Sequence, residues 1–157
     1  GEPVDVERFK RVVIGSFSGG YIAAAHVLEH GGVPQITEVD LYDSLYGETA
    51  RYRAWFDRNL LRFANTRADT TRFVDLYTSG GGTAANSRTF ATALRTALGS
   101  NGLASSMYWS DRAGTLAAGA EENPVVFQFA SDSHNAVPRV YFGRLAAASG
   151  FSPIGTP

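Results

Sequence analysis

The sequence predicts an α/β fold: a mostly parallel sheet of about four to five strands with flanking helices, in three layers. Three observations lead there. Short apolar, β-branched runs alternate along the chain with stretches whose apolar residues recur at helical spacing. Strands joined through helices pair in parallel by right-handed crossovers. No internal repeat or low-complexity tract divides the 157 residues, a length that suits one domain.

The elements follow in order. RVVIGSF (11–17) is short, β-branched and ends in small residues, and reads as a buried strand. GGYIAAAHVLEH (19–30) reads as a helix stopped by Gly31 and Gly32. ITEVDLYD (36–43) is the second strand. ETARYRAWFDRNLLRF (48–63) places Tyr52, Trp55, Phe56, Leu60 and Phe63 at helical spacing. Its aromatics Tyr52, Trp55 and Phe56 read as core packing and not as a ligand platform. Arg51, Arg53, Arg58, Arg62 and Arg67, with Glu48 and Asp57 nearby, read as a solvated face. RFVDLYTS (72–79) is the third strand, and NSRTFATALRTAL (86–98) an amphipathic helix capped by Asn86 or Ser87. SMYWS (106–110) is a short strand, AGTLAAGAEEN (113–123) a flexible loop, PVVFQFAS (124–131) a strand and VPRVYFGRLAAAS (137–149) the last helix.

Composition narrows the function. Hydrophobic residues make up 44% and charged residues 18%, which is the balance of a folded chain and not of a disordered one. Net charge is −1 and no long basic run occurs, so nucleic acid is not an expected partner. No apolar stretch is long enough for a membrane span, and the N-terminal GEPVDVERFK lacks the apolar core of a signal peptide. The absence of cysteine removes disulfides, thiol catalysis and Cys-ligated metals.

A parallel sheet puts its ligand sites beyond the C-terminal strand ends. The loops of interest therefore run from Ser16 to Gly20, Asp43 to Gly47, Thr78 to Asn86 and Ser131 to Asn135. A nucleophile on a sharp strand-to-helix turn needs small residues two before and two after it. Centred on Ser18, the first loop reads Ser16-Phe17-Ser18-Gly19-Gly20, a relaxed form of G-x-S-x-G. The following helix start directs backbone N–H groups at such a serine; without that chemistry the segment is a capped Gly/Ser turn. A serine hydroxyl needs a base, and the base an orienting acid. His134 is the only histidine on one of these loops. Asp43 follows the second strand directly; Asp40 lies inside the strand and reads as structural, while Asp132, only two residues from His134, is the weaker alternative acid.

The order Ser, Asp, His resembles that of the α/β-hydrolase superfamily. From Arg11 to Phe151 the chain resembles the C-terminal half of that fold: GSFSGGYIAAAHVL its elbow and helix, VDLYDSLYGE the next strand with an acid at its end, FVDLYTSGGGTAANS the strand after, and SDSHNAVPRVYF the histidine loop and last helix. The resemblance implies a serine hydrolase with Ser18 as nucleophile, His134 as general base and acid, Asp43 as orienting acid and the Gly19 N–H as an oxyanion donor. Ser16, Phe17, Tyr46, Thr78 and Asn135 would line the substrate site. The substrate would be a small molecule or peptide carrying an ester or amide bond, and no cofactor is called for. Most of the family carries the acid one strand later, with a minority at the position of Asp43. The family's several strands before the elbow are not in this sequence. The elbow strand is therefore expected to form an open edge that pairs with a partner chain or a second copy.

Two other readings stand beside this one. A chain with only part of that sheet could be a non-catalytic binding module or one subunit of a split hydrolase. HVLEH matches H-x-x-E-H, with His26 and His30 on one helix face able to hold Zn²⁺ and Glu29 as base. Such a site needs a third ligand, which no motif supplies; packed or dipole-facing histidines at a helix end account for the same residues. TSGGGT (78–83) reads as a hinge or substrate-lining loop and not as a phosphate cradle, because it lacks the P-loop's Lys-Ser/Thr ending. Tyr42 and Tyr77 sit near strand ends, as pocket lining or as strand-face packing.

Overall fold

The computed structural model describes residues 10–64, 71–80 and 82–150; most of the N-terminal segment, Arg67 and Gly81 lie outside the described residues. Five strands, β1 (Val12–Phe17), β2 (Ile36–Tyr42), β3 (Arg72–Tyr77), β4 (Met107–Gly114) and β5 (Val125–Ala130), form one all-parallel sheet in the order β1-β2-β3-β5-β4. The helices are α1 (Tyr21–His30), α2 (Thr49–Arg58), α3 (Ala84–Ser100) and α4 (Val137–Ala148).

The handedness of crossovers explains the layers. From β1 to β4 the chain moves one way across the sheet, so α1, α2 and α3 fall on one face. There Ala25, Leu28, Phe56, Phe90 and Leu94 pack on Val39, Leu41, Phe73 and Phe127. β5 then steps back into the gap between β3 and β4, and reversing direction moves the connection to the other face. On that face Leu116, Ala120, Val137, Tyr141 and Leu145 cover Val74, Leu76 and Val126.

The expected three-layer α/β fold is therefore present, with four local differences. The first strand is not buried: among its residues only Ser16 is, and Phe17 is 37% exposed, because among the described residues β1 pairs with β2 alone. Apolar β-branched composition marks a strand but not its place in the sheet. The 48–63 helix breaks at Asn59, whose side-chain amide donates to the Trp55 carbonyl at 2.8 Å; a 3-10 turn, Leu60–Ala64, carries on. Neither Asn86 nor Ser87 caps α3, which starts at Ala84; the cap position is Thr83, and its hydroxyl is turned elsewhere. The supposed flexible loop is tied down: β4 runs on to Gly114, Leu116 and Ala120 are buried, and Arg144 donates to the carbonyls of Leu116 and Ala117 at 2.9 and 3.1 Å. Two apolar anchors spaced among small residues carry too little periodicity to be read locally.

Tyr52, Trp55 and Phe56 are core residues, 0%, 4% and 0% exposed, as their spacing implied. Arg53 pairs with Asp57 on the outer face of α2, and Arg51 bridges Glu29 and Glu48. Asp40 faces α4 in a buried polar group: Arg72 Nη1 donates to Glu38 Oε1 at 2.8 Å, and the Tyr42 hydroxyl donates to Asp40 at 3.3 Å. Burial first, and then the neighbouring Glu38 charge, push the Asp40 carboxyl well above the usual carboxylate range.

Candidate active site

At the end of β1 the backbone turns at Ser18, which holds a left-handed φ of 51°. A 3-10 turn, Ser18–Gly20, then leads into α1. That conformation costs a non-glycine residue about 1–3 kcal/mol and persists only where the surroundings enforce it. Here the Ser44 hydroxyl donates to the Ser18 carbonyl at 2.9 Å, and Ser16 Oγ lies 2.6 Å from Ser44 Oγ. The small residues of the motif have a direct reason: a Cβ on Gly20 would sit 3.4 Å from Ser16 Oγ. A Cβ on Gly19 would meet nothing within 4 Å, so that side of the turn is open. The Gly19 N–H belongs to the first turn, where backbone donors have no helical acceptor.

Asp43, directly after β2, also adopts a left-handed conformation, with φ 46°. Its backbone N–H donates to the Leu76 carbonyl at 2.6 Å, which turns its side chain across the end of β3. The carboxylate is fully buried and accepts four hydrogen bonds. Oδ1 takes the Thr78 N–H at 3.0 Å and the Thr83 hydroxyl; Oδ2 takes the Thr78 hydroxyl at 2.6 Å and His134 Nδ1 at 2.8 Å. An ionised carboxylate only accepts, so Nδ1 is assigned the proton and Nε2 keeps its lone pair. His134 opens a 3-10 turn ahead of α4, and its side chain is 27% exposed. Its ring stacks on Phe17, centroids 4.6 Å apart and planes inclined at 28°. That contact brings His134 to the residue preceding Ser18. Among the described residues no hydrogen bond joins Ser18 to His134; in ligand-free sites such bonds often close only with substrate.

The structure pairs His134 with Asp43, while Asp132 accepts the Tyr141 hydroxyl at 2.9 Å. Of the other residues expected at the site, Phe17 and Tyr46 flank the His134 ring, Tyr46 edge-on at 6.5 Å. Asn135 is exposed beside it. Ser16 and Thr78 are 5% and 3% exposed and lie behind the surface, their hydroxyls engaged with Ser44 and Asp43. Tyr42 and Tyr77 are strand-face residues, 4% and 0% exposed. Sequence reasoning passed over Ser44, Thr83 and Asn86. The first supports the elbow, the second orients Asp43, and Asn86 Nδ2 donates to the carbonyls of Leu45 and Tyr46 at 3.1 and 2.8 Å. For Thr83 and Asn86 the signal was available only in the hydroxyl and amide groups after the three glycines, and for Ser44 only in its place beside Asp43.

His26 and His30 lie on the exposed face of α1, ring centroids 5.9 Å apart. Glu29 between them pairs with Arg51, which holds its carboxyl below the ordinary value. Among the described residues no group of three or more His, Cys, Asp or Glu side chains stands together to hold a metal ion. No helix among them is long and apolar enough to cross a membrane. Comparison with known proteins gives no match: no family model, curated protein or solved structure matches this chain.

Proposed function

We propose that the chain is a serine hydrolase acting on ester or amide bonds. One observation carries this reading: a buried Asp43 holds His134 through Nδ1 beside a serine in a left-handed strand-to-helix turn. In the first step the Ser18 hydroxyl attacks the substrate carbonyl carbon and its proton passes to His134 Nε2. The imidazolium so formed is stabilised by Asp43, and the Gly19 N–H donates to the oxyanion. The tetrahedral intermediate collapses to an acyl-enzyme as His134 gives its proton to the leaving group. Water, activated by the same nitrogen, then releases the acid and restores Ser18.

Reaction with a fluorophosphonate, read by intact mass, tests the reading. The expected result is one adduct on the wild-type protein and none on Ser18→Ala. Folded wild-type protein without an adduct would leave a non-catalytic module as the better description.

Among the described residues no strand pairs with the outer side of β1, which supports a second chain along that edge. The strand carries no charge, and Phe142, which lines a cleft with its Val13 and Gly15, is 62% exposed. Light scattering is expected to give more than the mass of one chain; a monodisperse monomer would remove this part of the proposal.

A further inference from the structure

A tetrahedral oxyanion is ordinarily held by more than one preorganised donor, and the elbow contributes the Gly19 N–H alone. Tyr46 stands edge-on to the His134 ring. Its backbone is fixed: its N–H donates to the Ser44 carbonyl at 2.9 Å, and Asn86 holds its own carbonyl at 2.8 Å. Its ring is wedged between two others, tilted against Tyr21 at 5.8 Å and edge-on to His134 at 6.5 Å. Across the loop, a Cβ on Gly82 would come within 3.8 Å of the ring. The phenol therefore has little freedom to turn away. Burial, and then the Asp43 charge, raise its pKa, while a side-chain interaction with Ser18 opposes both. The raised pKa keeps the O–H a donor at neutral pH, on a ring that flanks His134.

Resting on the assignment of Ser18 as nucleophile, we propose that Tyr46 is a second oxyanion donor. Its O–H donates to the carbonyl oxygen as the tetrahedral intermediate forms, together with the Gly19 N–H. A phenol contributes here only by hydrogen bonding; no proton is transferred and the stoichiometry of the reaction is unchanged.

Turnover of p-nitrophenyl acetate and phenyl acetate by the wild type, Ser18→Ala and Tyr46→Phe tests this. Phenylalanine keeps the ring contacts and removes only the donor; matched melting curves verify the fold. Loss of one oxyanion donor lowers kcat by about 10²–10³-fold. That loss is expected with both esters, because both form the same oxyanion, with KM within about twofold. Tyr46→His, which restores a donor, should recover part of it. Wild-type kcat in Tyr46→Phe, or a loss confined to KM or to the poorer leaving group, would overturn the proposal. It would leave the serine assignment standing as long as Ser18→Ala is inactive. Wild-type protein that neither turns over an ester nor takes a fluorophosphonate would overturn both.

Discussion

Asp43→Asn is expected to lower the rate of fluorophosphonate labelling by about 10⁴-fold while the protein stays folded. The reason lies in who donates to whom. Asp43 Oδ1 must go on accepting the Thr78 N–H, which has no other orientation. An asparagine placed there keeps its oxygen on that side and turns its NH₂ toward the Thr78 hydroxyl and His134. The threonine hydroxyl can rotate to accept. The imidazole can comply only by moving its proton to Nε2, the nitrogen that receives the Ser18 proton in the proposed mechanism. The substitution thus changes the tautomer and not the architecture. The stability loss should stay within about 1–3 kcal/mol, the range for disturbing a buried hydrogen-bonded group. Labelling rate and melting temperature, measured on the same preparation, check both halves. A labelling rate within tenfold of wild type would show that Asp43 does not set the base.

Asp75→Asn is expected to do the reverse: raise stability and leave the chemistry in place. Asp75 lies at the centre of β3, fully buried, with neither carboxylate oxygen hydrogen-bonded among the described residues. Burial pushes its pKa up to about 7, with Ser87 opposing and the Asp43 charge adding to the rise. The folded protein therefore binds a proton on Asp75 that the unfolded chain has released above about pH 4. By linkage, this contribution to stability is complete below about pH 4, falls as pH rises, and is lost by about pH 7. The interval corresponds to about 4 kcal/mol, an order-of-magnitude figure. Asparagine carries no charge to bury. Thermal unfolding of the two proteins between pH 5 and 8 should give curves that diverge as pH rises, the variant ahead by about 2–4 kcal/mol at pH 8. Parallel curves would mean that Asp75 keeps the same charge throughout.

Much of the site was readable because its parts are punctuation marks in the sequence. Ser18 and Asp43 each follow directly on an apolar run and His134 follows one after three polar residues, and parallel strands bring such ends to one edge of the sheet. The elbow was legible for a steric reason: Ser16 and Gly20 are small because they face each other across the turn. What escaped reading acts at a distance. Thr83 looked like a loop residue, yet its hydroxyl is directed 40 positions back to Asp43, so the helix it precedes begins without a side-chain cap. Asp75 received no reading of its own within the third strand; it shares a strand face with Phe73 and Tyr77, which pack in the core under the helices. The exposure of β1 was equally invisible from its own residues, because an edge strand and a central one can share the same apolar letters.

The late insertion of β5 has a consequence for how the protein comes into being. The contact between Asp43 and His134 closes a span of 91 positions, whereas β1, β2 and β3 are sequential neighbours. Pairings of short separation form sooner than those that must close long loops. In a chain made in order, Ser18 and Asp43 are present before the residues of β5 and His134 exist. Only when the final strand slots between β3 and β4 does His134 arrive over Phe17. Whatever this cluster does chemically is consequently withheld from the half-made molecule and is acquired together with the completed sheet.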